Sequence, residues 1–320
     1  MAIPKLDKAS IIAIRDCMGA KKGETILVIT DENKREIGVS LHENAKKLDF
    51  ESLLVEMKAG EINGEEPPKV IAQLMQKFDI VLCPTSKSLT HTNARINASK
   101  KGVRIATLPG ITIDSMIRGL SADYKKVAAL SIKVSRLLSK AKMVNITAPN
   151  GTDINIDING RDAIASKGLL HKKGDAGNLP TGEAFIAPIE GKSNGVFVVD
   201  GSMAGIGITD KQPIKIYVEK GLATRITGGS KARKLVKMLE PYGSKGRNIA
   251  ELGIGTNDKA KLSGLLLEDE KVMGTIHIAL GNNKSMGGKV NVPIHLDGVV
   301  KKPTVKFDNK LIMKNGKLLV

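Results

Sequence analysis

Two histidines and an aspartate near the C-terminus have the spacing of metal ligands on β-strands. In VPIHLDG, His295 and Asp297 are two positions apart, so a strand would project both side chains from one face. GTIHIALG places His277 between two isoleucines, on the face opposite to both. Imidazole and carboxylate groups on rigid strands suit a divalent transition metal. The alternative is a pair of half-buried histidines with ordinary hydrogen bonds.

Three further segments bring carboxylates that could share this site. NIAELGIGTN places Glu251 among apolar residues, where a charge is expected only if a partner neutralises it. NLPTGEAFIAP presents Glu183 between a turn and an apolar strand. In LLLEDEKVMGTIH, Glu270 ends an acidic cluster that would by itself be typical of a solvated turn. Together with the histidine strands, these carboxylates predict a two-metal hydrolytic site, in which carboxylates bridge the ions and His or Asp caps them.

The elements that must position these residues form two parts of the chain with different hydrophobic patterns. Over residues 1–141, short apolar strands such as TILVIT alternate with helix-length segments, which predicts an α/β domain with a parallel sheet. Over residues 142–320, period-2 alternation predicts a β-rich α+β domain that carries the metal site. Two Asn-Gly steps, at 150–151 and 159–160, are strong signals of hairpins in this second domain.

Several classes of protein are excluded by the sequence. No apolar run approaches the ~20 residues of a membrane span, and the N-terminus lacks the apolar core of an export signal, so we expect a cytoplasmic protein. Cys17 and Cys83 are too few for a disulfide framework. No glycine-rich phosphate loop follows TILVIT, which argues against a dinucleotide or P-loop enzyme.

The net charge of +17, from 50 Lys and Arg against 33 Asp and Glu, raises the question of nucleic acid. Aromatic residues make up only 2% of the chain, so the stacking platforms of single-strand binders are scarce. The lysines occur as scattered pairs, which is more typical of a solvated surface than of a phosphate-binding stripe. Nucleic-acid binding is therefore less favoured than either of the two metal-dependent functions described below.

Taken in order along the chain, NLPTGEAFIAP, AELGIGTN, GTIHIALG and HLDG resemble the thermophilic metallo-aminopeptidase family, of the aminopeptidase T and leucyl aminopeptidase type. THTNARINASKKGVRIATLPG is similar to the N-terminal half of that family. The resemblance implies a cytoplasmic homodimer that uses two divalent ions (cobalt, zinc or manganese) to release N-terminal residues from peptide substrates. Glu183 would also take the proton of the attacking water. The implied ligands are Glu183, Glu251, Glu270, His277, His295 and Asp297.

Two features depart from that family. Its peptidases place a catalytic Tyr shortly after the histidine of HIALG, at the position that Lys284 occupies here, so Lys284 becomes the candidate for stabilising the transition state. The segment between His277 and His295 is also shorter than is usual in the family.

The same superfamily contains a ring-cleaving non-haem iron dioxygenase, and a facial triad of His277, His295 and Asp297 would serve that chemistry. A mononuclear iron dioxygenase is therefore the second hypothesis.

Overall fold

The computed structural model describes residues 4–320. Its α-helices are α1 (Lys5–Ile11), α2 (Arg35–Lys47), α3 (Lys69–Leu74), α4 (Asn93–Lys100), α5 (Ile113–Leu120), α6 (Tyr124–Lys140), α7 (Gly229–Leu239), α8 (Gly243–Gly246) and α9 (Leu266–Asp269). A π-helical turn, Ile12–Cys17, continues α1, and 3-10 turns lie at Met75–Lys77, Glu240–Tyr242 and Lys284–Met286.

The β-strands are β1 (Thr25–Asp31), β2 (Glu51–Met57), β3 (Ile80–Thr85), β4 (Arg104–Pro109), β5 (Met143–Ala148), β6 (Thr152–Asp157), β7 (Ile164–Ser166), β8 (Ala176–Asn178), β9 (Glu183–Ile186), β10 (Asn194–Val199), β11 (Ser202–Met203), β12 (Gly207–Ile208), β13 (Ile214–Glu219), β14 (Leu222–Thr227), β15 (Ile249–Gly255), β16 (Thr275–Gly281), β17 (His295–Lys301), β18 (Thr304–Phe307), β19 (Lys310–Lys314) and β20 (Lys317–Leu318).

The chain divides into two compact units. The first comprises the residues up to Lys126 together with Gly168–Thr181, and the second comprises Val127–Lys167 and Gly182–Val320. The predicted division into domains 1–141 and 142–320 stays a prediction.

The first unit is built on a parallel sheet of strand order β2-β1-β3-β4-β8. All of its strand pairs are parallel. The three inner strands β1, β3 and β4 are buried almost throughout, as expected for strands that are covered on both faces. The predicted α/β part with a parallel sheet is therefore confirmed.

The second unit contains two antiparallel sheets. One has the order β14-β13-β10-β6-β5-β18-β19-β20, and the other has the order β12-β11-β17-β16-β15-β9-β7. A single apolar core takes alternate residues from both sheets, for example Ile156 and Phe197 from the first and Leu252 and Ile278 from the second. Along each strand of the second sheet, the residues that alternate with these core residues must therefore point to the opposite face of the sheet.

The Asn-Gly steps have different outcomes. The first connects β5 and β6, which pair antiparallel from Met143↔Asp157 to Ala148↔Thr152, so this hairpin is confirmed. The second forms a turn in which Arg161 N donates to Ile158 O, but the chain then leaves for β7 in the other sheet. The prediction of a second hairpin was therefore wrong, because a turn sequence sets the local bend and not the strand that pairs next.

Across residues 4–320, no helix combines the length and the apolar character that crossing a membrane requires.

Candidate metal centre

Three adjacent strands of the second sheet, β15, β16 and β17, carry four of the six predicted ligands on the face opposite the core. Glu251 on β15 and Asp297 on β17 both lie opposite Ala279 of β16, so the three residues form one row across the sheet. His277 lies in the next row of β16, and His295 begins β17 opposite Gly281. Ala279 is small, which leaves the space between the two carboxylates open.

A glycine makes room for the imidazole of His277. Gly253 on β15 is the register partner of His277, and a Cβ atom at position 253 would lie 1.9 Å from His277 Nε2. Only glycine fits here, because the imidazole lies directly over the neighbouring backbone.

Glu251, His295 and Asp297, which we call the outer group, offer three donor atoms within 4.8 Å of one another. His295 Nε2 is 3.3 Å from Glu251 Oε2 and 3.4 Å from Asp297 Oδ1. The His295 side chain is 32% exposed, whereas both carboxylate side chains are nearly buried. The outer group is thus the side of the site that small molecules can reach.

The orientation of His295 is set by its other ring nitrogen. Nδ1 lies 2.8 Å from the backbone carbonyl oxygen of Asn282, to which its N–H donates. This hydrogen bond turns Nε2 toward the two carboxylates, and a metal ion that displaced the Nε2 proton would find the lone pair aimed into the site.

Glu183, Glu270 and His277, which we call the inner group, form a second set of donor atoms within 4.8 Å. Lys271 also enters this group: its Nζ donates to Glu183 Oε1 at 2.6 Å and to Glu270 Oε1 at 2.5 Å. The Lys271 side chain is 3% exposed, so its ammonium is almost fully removed from water.

His277 connects the two groups. Its Nε2 lies 3.2 Å from Glu251 Oε1 in the outer group and 3.5 Å from Glu183 Oε2 in the inner group. The imidazole is fully buried. His277 can therefore serve a cation on either side.

Burial and mutual charge shift the pKa values of the site in opposite directions. Burial raises the pKa of Glu270 to about 8, although the Lys271 ammonium acts against this. Burial would lower the pKa of His277, but the hydrogen bond to Glu251 and the charge of Glu183 raise it to about 9. Burial would raise the pKa of Glu251, yet hydrogen bonds from the two histidines hold it well below its usual value.

The donor set fits a metal ion. Glu183 Oε2, Asp297 Oδ1 and His277 Nδ1 are buried and make no hydrogen bond within the described part of the chain. A buried carboxylate oxygen without a donor costs free energy unless a cation balances it. Two imidazoles and several carboxylates suit iron, zinc or manganese better than calcium, which prefers oxygen ligands alone.

The structure brings together six of the seven residues that the sequence singled out: Glu183, Glu251, Glu270, His277, His295 and Asp297. Lys284 lies instead on the loop between β16 and β17 with an exposed side chain. Over residues 4–320, no ion pair joins Lys284 to the carboxylates of the site, and its catalytic role stays a prediction.

Sequence reasoning missed Lys271 and Gly253. The signal for Lys271 was its place directly after the acidic cluster in LEDEK, and the signal for Gly253 was a glycine inside an apolar strand. Neither signal identifies the partner, since the partners lie on other strands.

Comparison with solved structures first defines the class of fold. The structure of 2,5-dihydroxypyridine dioxygenase from Pseudomonas putida KT2440 matches with a TM-score of 0.85 and 19% identity, over 100% of this chain and 99% of that one. The aminopeptidase AmpT from Thermus thermophilus matches with a TM-score of 0.66 and 16% identity, over 99% of both chains. The chain thus has the aminopeptidase-like fold, which the resemblance predicted.

The family follows from the sequence comparison. The profile of NicX, 2,5-dihydroxypyridine 5,6-dioxygenase, matches residues 13–320, and the chain belongs to this family. A 2,5-dihydroxypyridine 5,6-dioxygenase from Pseudomonas putida KT2440 is 24% identical over 247 residues, which cover 71% of this chain and 68% of that protein.

These comparisons overturn the main functional prediction. A metallo-aminopeptidase, and with it the classes hydrolase and protease, was wrong, because the family match and the sequence relative are both ring-cleaving dioxygenases. The alternative prediction, a dioxygenase of the same superfamily, has the better support. The error arose because the motifs shared by both branches describe the common ligand strands and not the reaction. The predicted homodimer stays a prediction.

Proposed function

We propose that this protein is a mononuclear non-haem iron dioxygenase that opens a dihydroxylated pyridine ring. The observation that carries the proposal is the set of His277, His295 and Asp297 on adjacent strands of one sheet face, in a chain of the NicX family. Two histidines and one carboxylate with open positions are the typical donors of non-haem iron oxygenases.

The distances within the site support a single ion on its outer side. His295 Nε2 lies 3.3 Å from Glu251 Oε2 and 3.4 Å from Asp297 Oδ1, and the other oxygen of Glu251, Oε1, lies 3.2 Å from His277 Nε2. Donor atoms that each bind one ion at about 2.0–2.2 Å are expected to lie about 3–3.5 Å apart. In this proposal, the carboxylate of Glu251 lies between the two imidazoles and is not required to hold the ion.

Iron bound at this position would supply the one-electron and O₂ chemistry that ring opening needs. The chain itself holds the ligands and admits the substrate from the partly exposed side of His295. Glu251 Oε2, which lies beside His295, can accept a hydrogen bond from a ring hydroxyl group that enters there and so orient the ring. The buried inner side excludes water from the other half of the site.

The test is oxygen uptake by the iron-loaded protein. After anaerobic loading with ferrous iron, we expect 2,5-dihydroxypyridine to consume one O₂ per ring and to lose its aromatic absorbance. The Asp297→Asn variant should show neither change. Oxygen uptake no faster than that of Asp297→Asn, with this compound and with other dihydroxylated rings, would contradict the proposal. Hydrolysis of aminoacyl-anilides should be absent in both proteins.

A further inference from the structure

A lysine occupies a position in the inner group that suits a cation. Lys271 is 2% exposed, and its ammonium donates to one oxygen each of Glu183 and Glu270. A buried ammonium costs several kcal/mol unless carboxylates balance its charge. Both partners are members of the inner group, whose donor atoms lie close enough together to bind an ion.

The backbone holds Lys271 in this position independently of its side chain. Lys271 O accepts a hydrogen bond of 2.9 Å from Asn257 N, and Met273 N donates to Asn257 O at 3.1 Å. Gly255 permits this close approach, since a Cβ there would lie 2.1 Å from Val272 O. The segment before β16 is thus bound to the end of β15 through its backbone. The Lys271 side chain therefore reaches the inner group from a backbone position that is fixed.

An ammonium and a divalent ion cannot share these carboxylates. Lys271 Nζ takes one oxygen of each, at 2.5–2.6 Å, and its positive charge would repel a second cation in contact with the same two groups. The outer group contains no such lysine, and its carboxylates face the imidazoles of His277 and His295, which can bind a metal ion once they are neutral.

We propose that Lys271 takes the place of a second metal ion and restricts this protein to one ion, bound on the outer side. The inference rests on the proposed function only in assuming that the ion on the outer side is the iron of the dioxygenase. It assigns Lys271 as a positioning residue: the ammonium fixes Glu183 and Glu270 and keeps the inner group from acting as a metal site.

Metal stoichiometry tests this directly. Calorimetric titration of the metal-free protein with Mn²⁺ should show one equivalent for the wild type. Lys271→Met removes the charge at similar volume and leaves Glu183 and Glu270 unpaired, so we expect it to bind a second equivalent at least ~100-fold more tightly than the wild type does. Lys259→Met, which removes an exposed lysine nearby, is the matched control and should bind one equivalent.

Thermal melting gives a second readout that does not depend on activity. The metal-free Lys271→Met protein should melt at a lower temperature than the wild type, and Mn²⁺ should raise its melting temperature by more than it raises that of the wild type. Adding Glu270→Gln to Lys271→Met removes one inner carboxylate and should abolish the second equivalent.

Two equivalents of similar affinity in the wild type would overturn the proposal, and this result does not depend on whether Lys271→Met folds. A Lys271→Met protein that binds one equivalent, with a wild-type response of its melting temperature to Mn²⁺, would also overturn it. The proposed function is tested separately. One ion without ring opening contradicts the dioxygenase and supports the role of Lys271. Two ions with ring opening contradict the role of Lys271 and the mononuclear site but support the ring-opening activity.

Discussion

The inner and outer groups contain the same kinds of donor atoms but balance their charge in different ways. In the inner group, the buried carboxylate of Glu183 and the half-buried carboxylate of Glu270 bind a lysine ammonium from the same chain. In the outer group, the carboxylates of Glu251 and Asp297 face imidazoles instead, and the exposed fraction of the His295 side chain is 32%. Similar carboxylate clusters can therefore be structural on one side of a sheet face and ready for a metal on the other.

The comparison also shows why motifs shared with a peptidase family do not imply a peptidase. Two-metal hydrolysis needs two ions held by bridging carboxylates. Here one of the two possible positions contains a fixed ammonium, which offers protons and no open coordination position. An ammonium fixed at this position therefore opposes the binding of a second ion, which two-metal hydrolysis would need.

The largest effect should come from removing a carboxylate of the outer group. Asp297→Asn should lower the affinity for ferrous iron by more than ~100-fold, since even residues that merely support a ligand cost about 10–100-fold when they are replaced. Glu270→Gln, the corresponding change in the inner group, should retain iron. Iron content after dialysis measures both. Equal iron loss in the two variants would remove the distinction between the groups.

The next effect concerns the residue that connects the groups. Gly253→Ala places a methyl group where the His277 imidazole lies, so the ring must move. We expect a loss of about 1–3 kcal/mol in the free energy of unfolding, as for other overpacked sites, and a decrease of ~10-fold or more in kcat. Gly60→Ala is the control, because its new Cβ would meet the flexible end of the Glu65 side chain at 3.1 Å and Lys87 Cβ at an ordinary contact distance of 3.6 Å. Equal effects of both substitutions would show that His277 does not need its present position.

The metal-free protein should lose stability as the pH rises. The pKa of His277 is about 9 in the folded protein, above its ordinary value of 6.5, so its stabilising charge is complete below pH 6.5 and is lost as the pH rises through 9. Glu270, with a pKa raised to about 8, changes in the same sense. The expected loss between pH 6.5 and 9 is on the order of 2 kcal/mol.

Melting curves with chelator and with Mn²⁺ measure this effect. Metal binding needs a neutral His277, so the stabilisation by Mn²⁺ should increase over the same pH interval. His277→Gln should flatten the pH dependence of the metal-free protein. A wild-type melting temperature that rises with pH in the presence of chelator would contradict the assignment of His277.

The smallest effect should come from the loop that orients the outer group. Glu190 accepts hydrogen bonds from Arg161 Nη2 at 2.6 Å and from Asn283 Nδ2 at 2.8 Å. The neighbouring Asn282 carbonyl in turn accepts from His295 Nδ1. Glu190→Gln weakens this anchor without touching a ligand, so we expect Mn²⁺ affinity to fall only a few-fold. An unchanged affinity would mean that the orientation of His295 does not depend on the anchor.

Much of the site could be predicted because strand alternation is a local property. The two-residue spacing of His295 and Asp297 places both on one face whichever strand lies beside them. A charge such as Glu251 within an apolar strand likewise indicates a buried partner. The parallel sheet of the first unit followed from strands separated by helix-length segments, and the first Asn-Gly step was sufficient for its hairpin.

The sequence by itself determined the residue types, the face that each strand presents and the local turns. The tertiary structure alone decided that β9 lies beside β15, so that Glu183 meets Lys271, and that Gly253 lies under His277. The physical reason is that alternation has a period of two within one strand, whereas register and neighbour come from pairing between distant segments. The balance of charge in the site depends on those neighbours, and so does the number of metal ions it can bind.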